Sequence, residues 1–210
     1  MSEGRFISIE CGEGAGKSTS LRAIFDCLES REIEFVSTRE PGGTALGEQV
    51  RELLLNPATP TMAPETELLL VFASRLQNVV EKIRPALQSG QWVVADRFVD
   101  ASYAYQGGGR GVCEHRIASL HAWTLGTLVP DLTLLLDVSP EVGLRRAVKN
   151  RVADRFETEK MSFYERVRQA YLDRVSDDPE RFIVIDARQP QKEMVRTLKK
   201  ALLDWIDRHE

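Results

Sequence analysis

Several things are scarce in this sequence. Its three cysteines, Cys11, Cys27 and Cys113, stand at unrelated spacings in 210 residues. That excludes a disulfide framework or a cysteine zinc site and fits a reducing compartment. The three histidines, His115, His121 and His209, are unclustered, so no imidazole-based catalytic pair is indicated. No apolar run approaches the ~20 residues needed to cross a bilayer, and no membrane partner is expected. Basic residues are not in excess either: a net charge of -4 argues against a nucleic-acid surface. The strings D-x-x-G and N-K-x-D, which a GTPase switch would carry, are absent. Repeats, low-complexity tracts and linkers are missing as well, and the residues before the first strand leave no room for a signal peptide. The expectation is a single cytoplasmic domain over residues 1–210.

What is present begins at residue 6. Phe6, Ile7 and Ile9 read as a buried strand, followed by Cys11-Gly12-Glu13-Gly14-Ala15-Gly16-Lys17-Ser18-Thr19. Three glycines let the backbone turn so that several N–H groups face one anion. Lys17 offers a cation to β- and γ-phosphates, Ser18 a hydroxyl to Mg²⁺, and Thr19 opens a helix whose positive end faces the phosphates. This is a P-loop with one departure: Cys11 occupies the place of the first glycine in G-x-x-x-x-G-K-[ST]. A thiol there is expected to be open to alkylation and partly protected by ATP.

Further on, apolar runs at 35–36, 92–95, 132–136 and 182–185 read as strands, each separated from the next by helical periodicity. Five strands alternating with helices predict an α/β fold, a five-stranded parallel sheet with helices on both faces. One helix is predicted to run unbroken over 64–87, with an apolar stripe wide enough to suggest a subunit interface. Residues 102–106 read as helical, and the glycine run 107–111 as an irregular loop.

Ligands in such sheets sit beyond the carboxyl ends of the strands, where the P-loop, Arg39 to Gly43 and Asp96-Arg97 all fall. Asp96, ending an apolar strand, stands where a P-loop enzyme keeps the carboxylate that holds Mg²⁺, through water. Arg39, Arg51 and Arg97 come from three strand–helix connections and can converge on one dianion. A second basic stretch, 145–155, includes Lys149, Arg151 and Arg155; Arg145, Arg146 and Lys149 read as surface salt-bridge formers. Two cationic groups flanking a P-loop suit a reaction with phosphate on both partners. A phosphate acceptor needs no general base, since its second pKa is near ~6.

Glu10 to Thr19, Thr38-Arg39-Glu40-Pro41-Gly42-Gly43, Asp96-Arg97-Phe98, the stretch from Ala104 to Gly111 and Asp154-Arg155-Phe156-Glu157 resemble, in order and spacing, the motifs of the bacterial thymidylate kinase family. The resemblance implies a P-loop kinase fold with a mobile lid at about 145–160, and transfer of the ATP γ-phosphoryl group to dTMP with Mg²⁺. It also implies a cytosolic homodimer. On the donor side it assigns Gly12, Glu13, Gly14, Ala15, Gly16, Lys17, Ser18 and Thr19, with lid residues Arg151 and Arg155 closing over the phosphates. On the acceptor side it gives Arg39, Arg51 and Arg97 to the dTMP phosphate and Glu13 to the 3′-hydroxyl. Arg75 would donate to a thymine carbonyl, Ser102 and Gln106 would read the base edge, and Tyr105 would crowd the 2′ position. Glu40, with Pro41, would organise the acceptor arginines. Catalysis would fall to Lys17, Asp96, Arg97 and Arg155, and the metal to Ser18 and Asp96. The family's base-stacking aromatic is missing from position 71, which is Val71; Phe72, one residue on, is the substitute expected here. Another pyrimidine nucleoside monophosphate kinase is the alternative.

Overall fold

The computed structural model describes residues 4–147, 155–156 and 159–209. Strand β1 (Phe6–Cys11) leads through the P-loop into α1 (Lys17–Ser30), followed by β2 (Phe35–Arg39), α2 (Ala45–Leu55), α3 (Pro64–Asn78) and α4 (Arg84–Gln88). Next come β3 (Trp92–Asp96), α5 (Val99–Ser102), α6 (Glu114–Thr124) and β4 (Leu132–Asp137). The chain finishes with α7 (Pro140–Ala147), α8 (Met161–Asp177), β5 (Phe182–Asp186) and α9 (Gln191–His209). The five strands are all parallel in the order β2-β3-β1-β4-β5.

Because side chains alternate across a strand, the sheet has two different faces. Ile7, Ile9 and Cys11 of β1, Trp92 and Val94 of β3, and Leu132, Leu134 and Leu136 of β4 pack with α1 and α9. On the other face, Phe6, Val93 and Ala95 meet Leu68, Phe72 and Ile117 from α3 and α6. Each such aliphatic side chain, fully buried, contributes roughly 1.5–3 kcal/mol. That second face is also polar near β1. Ser8 and Thr133 share a hydrogen bond of 3.0 Å, and Glu10 is fully buried.

Two helical predictions change in detail. The helix over 64–87 is interrupted by a π-helical turn, Val79–Ile83, before α4. Pro85 lies in the first turn of α4, where its missing N–H withdraws one bond from the regular ladder. Only the end of the glycine run is irregular: Tyr103–Gly109 is π-helical and continues α5, and the chain leaves it at Arg110 and at Gly111, where φ is 79°. A Cβ at Gly108 would sit 2.7 Å from the Arg166 carbonyl oxygen, and one at Gly109 2.4 Å from the Phe163 ring. The glycines thus clear a surface onto which α8 packs directly. Most of the expected lid, including Arg151, lies outside the described residues.

Candidate active site

The P-loop is shaped by glycine where no other residue fits. Gly16 sits at φ 94° immediately before α1, and Gly14, at φ 66°, would place a Cβ 1.8 Å from the Gly143 carbonyl oxygen of α7. Beyond it, Lys17 Nζ lies 2.5 Å from Asp96 Oδ1. That carboxylate oxygen is shielded from solvent and is engaged by the Lys17 ammonium. Ser18 is exposed, and the Thr19 hydroxyl accepts from Gln191 Nε2 of α9 at 2.6 Å. Cys11 is 2% exposed, and burial pushes its thiol pKa up despite the nearby Lys17 and Arg97. Cys11 ends β1 packed in the core, with one side on the cavity beyond the P-loop, so its thiol is less accessible than a P-loop position suggests.

A cavity of about 660 Å³ extends from this loop. All eight residues from Gly12 to Thr19 line one end. Glu40, Pro41, Arg51, Arg75, Ser102 and Gln106 line the rest, with Glu13, Arg97 and Tyr105 also on its wall. Arg97 is held by backbone as well as by side chain. Its φ of 72° is in the left-handed region, disfavoured for a residue with a Cβ. The Arg97 N–H donates to Ile9 O at 3.0 Å, and the Phe98 N–H donates to Glu10 Oε1 at 2.6 Å. Tyr171 also donates its hydroxyl to Glu10 Oε2, at 2.7 Å. Glu10's pKa is raised to about 8, mainly by burial, with the charge of Asp100 adding and that of Arg97 opposing. The Arg97 guanidinium lies 4.5 Å over the Tyr105 ring, and Tyr105 donates its hydroxyl to Glu13 at 3.0 Å.

At the far end the donors are fixed in advance. Arg75, 1% exposed, donates Nε to Glu40 at 2.5 Å, Nη1 to Ser102 Oγ at 2.9 Å and Nη2 to the Phe98 carbonyl at 3.0 Å. Glu40 also accepts from Asn78, whose amide oxygen accepts from Thr38 at 2.6 Å. Arg51 donates to the Pro41 carbonyl at 2.8 Å, and the Glu40–Pro41 peptide bond is cis.

Three expectations do not match the geometry. Arg39 is exposed and forms a two-pronged pair with Glu48, at 3.1 and 2.7 Å, off the cavity wall. It ends β2 on the alternation opposite to buried Thr38, which turns it outward. Phe72 is core, 2% exposed and 4.7 Å beneath the Arg75 guanidinium, while Val71 faces the cavity. The roughly 100° step between neighbouring helical residues separates the two. Arg155 donates to the Leu54 carbonyl of α2 at 2.9 Å and to Glu67 of α3 at 2.5 Å, rather than lying over the P-loop. Conversely Arg146, expected at the surface, lines the cavity and donates to the Ala187 and Arg188 carbonyls. Sequence reasoning missed Glu10, Glu67 and Asn78. The available signal was polar residues within an apolar helical stripe: Glu67, Ser74, Arg75 and Asn78 lie on the buried side of α3.

A phosphate loop at one end of a cavity and a fixed set of donors at the other is the layout of a two-substrate phosphotransferase, and comparison with known proteins narrows it. The profile of the family described as thymidylate kinase matches residues 9–198. A thymidylate kinase of Alkalilimnicola ehrlichii is 51% identical over 209 residues, covering 99% of this chain and 96% of its own length. One of Pseudomonas fluorescens is 52% identical over 204 residues, 97% of each chain. One of Chromohalobacter salexigens is 50% identical over 211 aligned positions, covering 98% of this chain and all of its own. With the match running through the P-loop, the cavity wall and the strands that carry them, the chain belongs to the thymidylate kinase family.

Proposed function

We propose that this protein transfers the γ-phosphoryl group of ATP to dTMP, giving dTDP and ADP. The observation that carries the reading is the single cavity with the P-loop at one end, Arg75, Ser102 and Gln106 at the other, and Arg97 between them. P-loop N–H groups and Lys17 take the donor phosphates; Arg51 and Arg97 take the acceptor phosphate. The acceptor oxygen is already ionised, so the protein's task is alignment and charge neutralisation rather than proton abstraction. Glu13 takes the sugar hydroxyl in this reading, supported by its position on the cavity wall, where it receives the Tyr105 hydroxyl and lies 3.4 Å from Arg97. Arg155 is proposed to leave Glu67 for the phosphates when both nucleotides are bound; the expected lid otherwise falls mostly outside the described residues of this single domain.

Asp96 and Ser18 suit Mg²⁺: both are hard oxygen donors at the mouth of the P-loop, a carboxylate paired with Lys17 and an exposed hydroxyl. Bound there, the ion would neutralise charge on the donor phosphates. We also infer a homodimer, supported by exposed Leu69, Val80 and Trp123 on α3, the π-turn after it and α6, with Trp123 82% exposed. Sedimentation as a monomer at micromolar concentration would remove that inference. Three unpaired cysteines support a cytoplasmic setting, and no helix among the described residues is long and apolar enough to cross a membrane.

The direct test is ADP release with dTMP, dUMP, UMP, CMP and AMP offered in turn. dTMP is expected to give the highest kcat/KM; a faster reaction with CMP or AMP overturns the assignment.

A further inference from the structure

Glu67 takes no part in the cavity wall, yet it is among the most heavily engaged side chains near it. It is 1% exposed, in the first turn of α3. Gln106 Nε2 donates to its Oε1 at 2.9 Å. Arg110 Nε lies 3.3 and 3.2 Å from its two oxygens, and Arg155 Nη2 donates to Oε2 at 2.5 Å. A carboxylate facing two guanidinium groups only accepts. The Gln106 carboxamide must therefore turn its nitrogen toward Glu67, and its oxygen is what remains for the cavity that Gln106 lines. No hydrogen bond to that oxygen exists among the described residues.

The neighbouring wall has the opposite polarity. Arg75 is donor-only, and the Ser102 oxygen already accepts from it, which leaves the hydroxyl hydrogen to donate. One edge of the cavity thus offers an acceptor at Gln106 beside donors at Arg75 and Ser102. A thymine-type ring presents N3–H as donor beside O4 as acceptor and matches this pattern. Cytosine presents the reverse at both atoms.

We propose that Glu67 is a positioning residue for base selection: it holds the Gln106 carboxamide in the one orientation that accepts from a ring N3–H, and so excludes cytosine. This rests on the dTMP reading above. Glu67 acts through Gln106 without touching the base, and Arg110, which reaches both of its oxygens, keeps it an acceptor when Arg155 turns to the phosphates. Freed from that carboxylate, the carboxamide can rotate by half a turn at little cost and offer its NH₂ to cytosine N3. A wrongly matched buried polar pair is where specificity of this kind arises.

The experiment is kcat/KM for dTMP and for dCMP in the full chain and in Glu67→Gln, Glu67→Asp and Gln106→Met. A glutamine at 67 can face Gln106 with either end. The dTMP-to-dCMP ratio is expected to fall at least about 10-fold in Glu67→Gln, the remainder being kept by Arg75. Glu67→Asp, still an acceptor, restores most of the ratio. If Glu67 only anchors α3 to the glycine-rich turn, Glu67→Gln lowers both substrates equally and leaves the ratio unchanged, which overturns the proposal. Should Glu67→Gln not fold, Gln106→Met decides: an unchanged ratio there removes Gln106 as the reader, and the role of Glu67 with it. A parent protein that does not phosphorylate dTMP overturns the functional reading itself. One that does, with a ratio indifferent to these changes, overturns only the positioning role.

Discussion

The two ends of the cavity are built on different principles. At the acceptor end Arg75 is 1% exposed, and three of its five N–H groups are taken by Glu40, Ser102 and the Phe98 carbonyl. At the P-loop end the Lys17 side chain keeps 22% of its exposure and the Asp96 side chain 24%, and Ser18 is open to solvent. A neutral ring is recognised by a fixed pattern of donors and acceptors, which must exist before the ring arrives. A polyphosphate is recognised by net charge, which cations near solvent supply after modest rearrangement. The acceptor end is therefore part of the folded core, and the donor end is completed by its ligand.

The sharpest way to break that contrast is to unpair one charge at each end. Glu40→Ala leaves the Arg75 guanidinium buried without its partner. It should cost about 3–5 kcal/mol of stability, a drop in Tm on the order of 10 °C by calorimetry. Lys17→Ala, breaking a pair that keeps about a quarter of its exposure, should cost less than the Glu40 change, about 1 kcal/mol, while suppressing turnover. Equal losses of stability at the two ends would erase the distinction.

Arg97 stands between the two. Arg97→Ala is expected to lower kcat about 10²- to 10³-fold, as loss of a charge-stabilising donor does. Its ATP affinity by titration should stay within about 3-fold. A collapse of ATP binding would move Arg97 to the donor side.

Glu10 allows a subtler probe, through pH. A carboxyl whose pKa is raised from 4.5 to about 8 on folding stabilises the fold in its protonated form. That contribution is complete below about 4.5 and disappears as pH passes about 8. Tm in the parent protein should therefore fall across this interval more steeply than in Glu10→Gln, which cannot titrate. Parallel profiles would show that the buried carboxyl does not titrate there. The smallest effect is expected from Arg39→Ala, which removes an exposed pair with Glu48. It should change stability by no more than about 1 kcal/mol and KM for dTMP by less than about 3-fold.

The uneven legibility of these features in the sequence follows the same division. All five strands, the P-loop and Asp96-Arg97 were readable, because β-periodicity and a phosphate-binding turn are local properties of the chain. Arg51 and Arg39 looked equivalent. Only the alternation at the end of β2 and the approach of Glu48 from α2 send Arg39 outward. The glycines suggested a loop, because the purpose of Gly108 and Gly109 lies far along the chain, at Phe163, Arg166 and Ala170 in the surface of α8. Phe72 and Val71 were separable only by knowing which side of α3 faces the cavity. Glu10 and Glu67 were unreadable as partners: a lone acid in an apolar stretch says that something must pair with it, not what.

The most direct measurement is calorimetric titration of the ligand-free protein with dTMP, in the absence of ATP and Mg²⁺. A cavity end whose donors are fixed during folding should bind one dTMP per chain, with an affinity that saturating ADP changes by less than about 10-fold. Binding of dTMP that appears only after the donor nucleotide is bound would contradict it.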